Sequence, residues 1–305
     1  MRTLWSTAFM AVGVIALLAG ATAAAADPLP VPPTFFSGIG PELGNPGGDL
    51  PGVNEWDCRP GAAHPNPVIL VHGTAGGAQT NWGPMAPRLK NEGYCVYALT
   101  YGSIPGSPWP VNQLGGLMRM DDSAAELSAF VDKVLAASGA KEVDFVGHSQ
   151  GTLMPNYYVK ELGGAEKVGR YVSLAPMWNG TGMELGGEVL GDSASVADAL
   201  KPYAVGQMID GPGFLAQMHA GGVYAPGVQY TNIMTRYDEL VLPYTSGYVE
   251  GPNATNIVVQ DECAQDFSDH LAIAASVRAQ QYVLNALDPD HAQPVPCVFV
   301  PPIFG

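Results

Sequence analysis

The pentapeptide Gly147-His148-Ser149-Gln150-Gly151 sets a hydroxyl midway between two glycines. A serine hydroxyl is a poor nucleophile at its ordinary pKa, so chemistry at Ser149 requires a histidine base and a carboxylate that fixes the tautomer of that base. Such a set performs acyl transfer through an acyl-serine. The surroundings suit this use. Val143-Asp144-Phe145-Val146 reads as a strand buried in a sheet, and the chain after it opens a helix, so Ser149 falls on a sharp strand-to-helix turn that lifts its Oγ clear of the backbone. Both glycines are expected to be obligatory, because a Cβ at either would collide with the neighbouring strand or helix.

Six histidines compete for the role of base. His64 lies in a Pro-rich arm, His72 directly before a glycine turn, His219 in a Gly-rich insert and His291 in the tail. His148 adjoins Ser149, but neighbouring side chains at such a turn point apart, which leaves it a structural role. His270 is the best candidate: it follows the last strand and stands after serine and acid in the order Ser, Asp, His. For the acid, Thr235-Arg236-Tyr237-Asp238-Glu239-Leu240 begins where a strand ends, which puts Asp238 at the carboxyl edge of the sheet. Glu239 is the alternative and Asp269 a weaker rival. An oxyanion needs donors aimed at it, and two backbone amides are expected, from Gln150 after the nucleophile and from Thr74 after Val71-His72-Gly73. Such chemistry needs no cofactor and no metal, and the chain has no dinucleotide-type glycine pattern.

These residues need a scaffold, and apolar runs alternate with helical spacing in the order of an α/β sheet. Strands are expected at 68–71, 95–101, 143–146, 171–174, 228–234 and 256–260. Helices are expected at 121–138, with acids in its first turn and Gly139 just past its end, at 157–162 and at 271–287, the last stopped by Asp288-Pro289. This alternation implies a mostly parallel sheet with helices on both faces. Residues 27–66, dense in Pro and Gly, read as an N-terminal arm without regular structure, and 67–305 as one α/β domain. Within it, residues 178–227 lose the pattern and read as a cap inserted over the sheet edge.

The chain has 305 residues, 47% of them hydrophobic, with 28 acids against 13 bases for a net charge of −15. No basic stripe exists to neutralise phosphates, so a nucleic-acid partner is excluded and neutral or cationic partners are favoured. Residues 1–26, with Arg2, an apolar stretch and a closing alanine run, have the form of a secretory signal cleaved near Ala26. Export would give the four cysteines a meaning, since an even count outside the cytoplasm reads as two disulfides. Three connectivities are possible. Cys58 with Cys95 and Cys263 with Cys297 is favoured because each pair brackets one compact segment, and each bridge would contribute about 4 kcal/mol by chain entropy.

With these residues in hand, the chain resembles the secreted bacterial class 2 lipases and esterases of the α/β-hydrolase superfamily. The resemblance rests on His72-Gly73-Thr74, on residues 120–135 leading to Val143-Asp144-Phe145-Val146 and the serine pentapeptide, on Thr235 to Val241, and on Asp269-His270. More distantly the chain is similar to the fungal lipase B group, to which Thr74, Gln150, the Asp238 to Val241 turn and both cysteine pairings correspond. That group carries Trp before its nucleophile, where this chain has His148, so its alcohol-side pocket does not transfer. The resemblance implies an α/β-hydrolase fold with a cap, and an acyl side lined by Leu240 and Val241 with Trp178 at the start of the cap. It also implies a secreted, monomeric serine hydrolase of triacylglycerol or related neutral esters, touching lipid surfaces transiently. An acyltransferase or a polyester or cutin hydrolase on the same triad, or a non-catalytic exported binding protein of the same fold, are the alternatives.

Overall fold

In the computed structural model, residues 27–182, 199–209 and 211–305 are described; the expected signal segment and part of the expected cap lie outside them. Six parallel strands form one sheet: β1 (Val68–Val71), β2 (Val96–Leu99), β3 (Val143–His148), β4 (Val168–Leu174), β5 (Gln229–Met234) and β6 (Ala254–Val258), in the order β2-β1-β3-β4-β5-β6. β1 and β3 are buried along their whole length; the unbroken apolar sequence of β1 is that of a strand covered on both faces, whereas β3 also buries Asp144 and His148.

Alternate residues feed two cores. Ile69, Val71, Tyr97 and Phe145 face one layer, together with Leu127, Val131 and Val134 of α3 (Met120–Ser138) and Leu153 and Tyr158 of α4 (Gln150–Glu161). Val68, Leu70, Val96 and Val146 face the other, with Met85 and Leu89 of α2 (Met85–Asn91) and Val283 and Leu287 of α7 (Val277–Leu287). The spacing predicted for α3 is met: Asp121 and Asp122 lie in its first turn, and Gly139, at φ 76°, ends it by donating its N–H to Leu135 O.

Two expectations need correction. The last helix begins at Val277, not at 271, because Ser276 caps it by accepting the Ala279 N–H, while Asp269 Oδ1 accepts the N–H groups of Leu271 and Ala272 and holds 272–274 as a separate 3₁₀ turn. The N-terminal arm is not wholly irregular, since Phe35–Gly38 forms a 3₁₀ turn and α1 (Ile39–Gly44) follows it. Farther along, the arm lies against β2: Asn54 N–H donates to Val96 O, while its side chain donates to Ala98 O and accepts Ala98 N–H.

The described part of the insert contains α5 (Ala204–Ile209) and α6 (Ala216–His219). Its exit is pinned to α4, where Lys160 Nζ donates to the carbonyls of Met218, Ala220 and Gly222, and Asn156 Nδ2 to that of Val223. Both favoured disulfides are present, Cys58–Cys95 with Cα atoms 5.8 Å apart and Cys263–Cys297 at 5.4 Å. Among the described residues, no helix is long and apolar enough to cross a membrane, and no cluster of His, Cys, Asp and Glu could hold a metal ion.

Candidate active site

Ser149 links β3 to α4 with φ 55° and ψ −125°, a conformation that a non-glycine residue adopts only under strain. The flanking glycines make the turn feasible. A Cβ on Gly147 would lie 2.1 Å from the Gly151 carbonyl oxygen, and one on Gly151 would lie 2.1 Å from that of Val71, so each must be glycine, as its spacing about the serine implied. Pro155, one helical turn on, has no N–H for the Gly151 carbonyl, which instead packs against Gly147.

The residues singled out from sequence converge here. His270 Nε2 lies 2.8 Å from Ser149 Oγ, and His270 Nδ1 lies 2.8 and 2.9 Å from the two carboxylate oxygens of Asp238. All three side chains are buried. A carboxylate only accepts hydrogen bonds, so Nδ1 carries the hydrogen and Nε2 is left to accept the serine proton. Asp238 Oδ1 also accepts the N–H groups of Leu240 (3.0 Å) and Val241 (2.7 Å), a turn that fixes the carboxylate after β5. The rival acids serve the backbone: Glu239 Oε2 accepts the His270 N–H at 3.2 Å, and Asp269 Oδ2 accepts that of Ile303.

On the other side of Ser149, Gln150 opens α4, and its N–H is one of the unpaired donors of a helix start. The loop after β1 brings Thr74 to it, with Thr74 Oγ1 donating to Gln150 Oε1 at 3.0 Å; the Thr74 N–H donates to no described residue. Met208 of α5 packs its sulfur 3.9 Å from the same hydroxyl, so the insert does reach the site.

Two buried histidines flank the centre. His72 Nδ1 donates to Gly73 O at 2.7 Å and Nε2 accepts the Tyr101 N–H at 3.2 Å; burial lowers its pKa to about 4. His148 Nε2 lies 2.7 Å from the His270 carbonyl oxygen and Nδ1 lies 3.1 Å from Asn81 Oδ1, which also accepts the Gly73 N–H at 3.2 Å. Burial first, then the neighbouring His270, lowers the pKa of His148 to about 3. Asn81 and the His148–carbonyl contact are absent from the sequence reading, since neither belongs to a motif.

Of the expected acyl-side residues, Leu240 is exposed and Val241 is buried. Trp178 is not available to a substrate. It is wholly buried among Tyr171, Tyr224 and Tyr230, and its indole N–H donates to Asn232 Oδ1 at 2.9 Å, the partner that a buried indole requires. It is a core residue.

Comparison with known proteins places the chain among lipases in family and fold. The chain resembles a triacylglycerol lipase of Pseudarthrobacter phenanthrenivorans, 34% identical over 101 residues that make up 32% of this chain and 28% of that protein. A triacylglycerol lipase of Burkholderia plantarii is 34% identical over 101 residues, 32% of this chain and 25% of that protein. The match thus spans about a quarter of the length of these relatives. Among solved structures, the fold is similar to Aspergillus fumigatus lipase B, with a TM-score of 0.58 and 21% identity over 76% of this chain and 53% of that one. It is also similar to mature Bacillus licheniformis lipase BlEst2, with a TM-score of 0.53 and 18% identity over 75% of this chain and 94% of that one. The α/β-hydrolase fold follows from this likeness and from the parallel sheet. The family model for lipase (class 2) matches residues 65–283, from just before β1 into α7, and the chain belongs to that family.

Proposed function

We propose that the protein is an exported serine ester hydrolase that cleaves neutral acyl esters through Ser149, His270 and Asp238. The observation that carries this reading is the line of contacts from Ser149 Oγ through the His270 imidazole to the Asp238 carboxylate. His270 Nε2 takes the serine proton as Oγ bonds to the ester carbonyl carbon, and the developing imidazolium is stabilised by Asp238. The oxyanion is met by the N–H groups of Gln150 and Thr74, with the Thr74 hydroxyl turning from Gln150 Oε1 as a third donor. His270 then returns its proton to the departing alcohol as the carbon–alkoxy bond breaks, leaving an acyl-serine. Water attacks that ester, His270 accepts its proton and passes it back to Ser149, and the carboxylic acid leaves. Each step needs only the chain, the ester and water.

Export is supported by the leader-like residues 1–26 and by the two disulfides, which persist in oxidising surroundings. The net charge of −15 favours uncharged esters over anionic ones and helps to repel carboxylate products. The reading is tested with Ser149→Ala on p-nitrophenyl esters. A loss of about 10⁴-fold or more in kcat, with loss of fluorophosphonate labelling, is expected. Hydrolysis at the parental rate would reject it.

A further inference from the structure

The base is delivered by a loop 121 residues away from the nucleophile in sequence, yet its Nε2 must stay within hydrogen-bond reach of Ser149 Oγ. Its side chain is steadied by Asp238, but a side chain is no better placed than its peptide. Two contacts hold the His270 backbone: its N–H is accepted by the exposed Glu239 carboxylate at 3.2 Å, and its carbonyl meets the buried His148 Nε2 at the shorter distance of 2.7 Å.

We propose that His148 is a positioning residue for the base: its imidazole fastens the His270 peptide to the turn that carries the nucleophile. The inference rests on the acyl-transfer reading above. Its ground is a closed ring of contacts. His148 is covalently joined to Ser149, its imidazole donates to the His270 carbonyl, and the His270 imidazole returns to Ser149 Oγ. Base and nucleophile are therefore referenced to each other over two adjacent residues and not through the long connection between β3 and the His270 loop. The ring sits in a dry place: His148 and His270 are buried, with their rings 5.1 Å apart, and Phe35 of the N-terminal arm packs edge-on against His148.

The protonation state follows from the partners. A carbonyl only accepts, so the 2.7 Å contact requires a hydrogen on Nε2. The groups that face His148 are His270 and Asp238 of the triad, His72 at the end of β1, and Asn81; burial outweighs the pull of Asp238 and keeps the ring neutral. Neutral His148 then presents a lone pair at Nδ1 to the Asn81 amide. With Oδ1 toward the ring, Asn81 serves the Gly73 N–H and its Nδ2 has no partner; turned over, it serves His148 and releases Gly73. Asn81 thus serves either the oxyanion loop or His148, one at a time.

The test uses the full protein with p-nitrophenyl esters. His148→Phe keeps a ring and removes both nitrogens, whereas His148→Gln keeps an N–H of similar reach. The phenylalanine variant is expected to lose about 10²-fold in kcat with KM little changed, and to label with fluorophosphonate correspondingly slowly, since misplacement of about an ångström costs that much. The glutamine variant is expected to recover most of that loss. A folded His148→Phe protein with kcat within about threefold of the parent, or a glutamine variant as slow as a folded phenylalanine one, overturns the proposal. Should His148→Phe fail to fold, nitrogen-15 spectra of the histidine-labelled parent decide: an Nε2–H tautomer for His148 with a slowly exchanging proton supports it, and an Nδ1–H tautomer overturns it. If Ser149→Ala retains hydrolysis, the acyl-transfer reading falls, while the spectra still report whether His148 holds the His270 peptide.

Discussion

His72 and His148 stand at the carboxyl ends of the neighbouring strands β1 and β3, both buried and both flanked by glycine, yet their surroundings are opposite in kind. His72 has one acceptor, the Gly73 carbonyl, and one donor, the Tyr101 N–H, which is the complement of a neutral imidazole. Its ring also stacks on Tyr101, with centroids 4.2 Å apart, and the tyrosine hydroxyl donates to the His72 carbonyl. His148 has acceptors on both sides and only one hydrogen to give while it is neutral. A polar mismatch of this kind is removed from a mere strut and tolerated where it holds something that has to stay in place.

The largest effect that separates the two is on stability. His72→Leu strands the Tyr101 N–H in a dry interior, while the Gly73 carbonyl keeps the Gly76 N–H, and an unpaired buried group costs about 1 to 3 kcal/mol, so a loss of that size is expected in urea denaturation. His148→Gln should lose less than about 1.5 kcal/mol. Equal losses would erase the contrast.

Acid titration sharpens it further. Both histidines are neutral in the folded protein and take up protons on unfolding, so their contribution is present above pH 6.5 and is lost as pH falls toward about 4 for His72 and about 3 for His148. For His72 this amounts to about 3 kcal/mol. Between those limits, His148→Gln should flatten the fall in stability by one proton. An unchanged slope would mean that His148 is already a cation in the folded state, and the comparison would break on that side.

A third group has the opposite sign. Asp144, near the amino end of β3, accepts from Asn66 Nδ2 and the Arg170 N–H, and burial raises its pKa from 3.8 to about 6. Its contribution is therefore fully present below pH 3.8 and lost as pH rises through about 6, which masks part of the histidine slope. Asp144→Asn keeps an acceptor for both donors without the charge. It should stabilise the protein at pH 8 by about 3 kcal/mol and leave the histidine slope exposed in the acid range, as read by thermal unfolding across pH.

Much of the site was legible because it is written in local chemistry. The serine pentapeptide follows a short strand, the loop after β5 carries Asp238, and the last strand precedes His270, so type and order alone point to these residues. What escaped is tertiary. His148 meets a carbonyl 122 residues away, and Asn81 lies between two loops at a position with no periodicity to mark it. Trp178 was misread because an aromatic residue at the start of an insert has the same appearance whether it lines a pocket or fills a core; its neighbours decided. The start of α7 was misplaced because 271–276 is apolar enough to continue the helix, and only Ser276 and Asp269 show where the backbone breaks.

The contacts of Asn54 have a consequence for the behaviour of the protein in solution. β2 is an outer strand, and an outer strand with free N–H and carbonyl groups can recruit another chain. At φ 56°, Asn54 turns its own amide into a one-residue imitation of a neighbouring strand, occupying both the N–H and the carbonyl of Ala98, while its backbone N–H occupies Val96 O. Growth of the sheet by addition of a second copy is thereby blocked on this side. A single asparagine in a proline-rich arm thus lends this chain some protection against self-assembly during heating or storage.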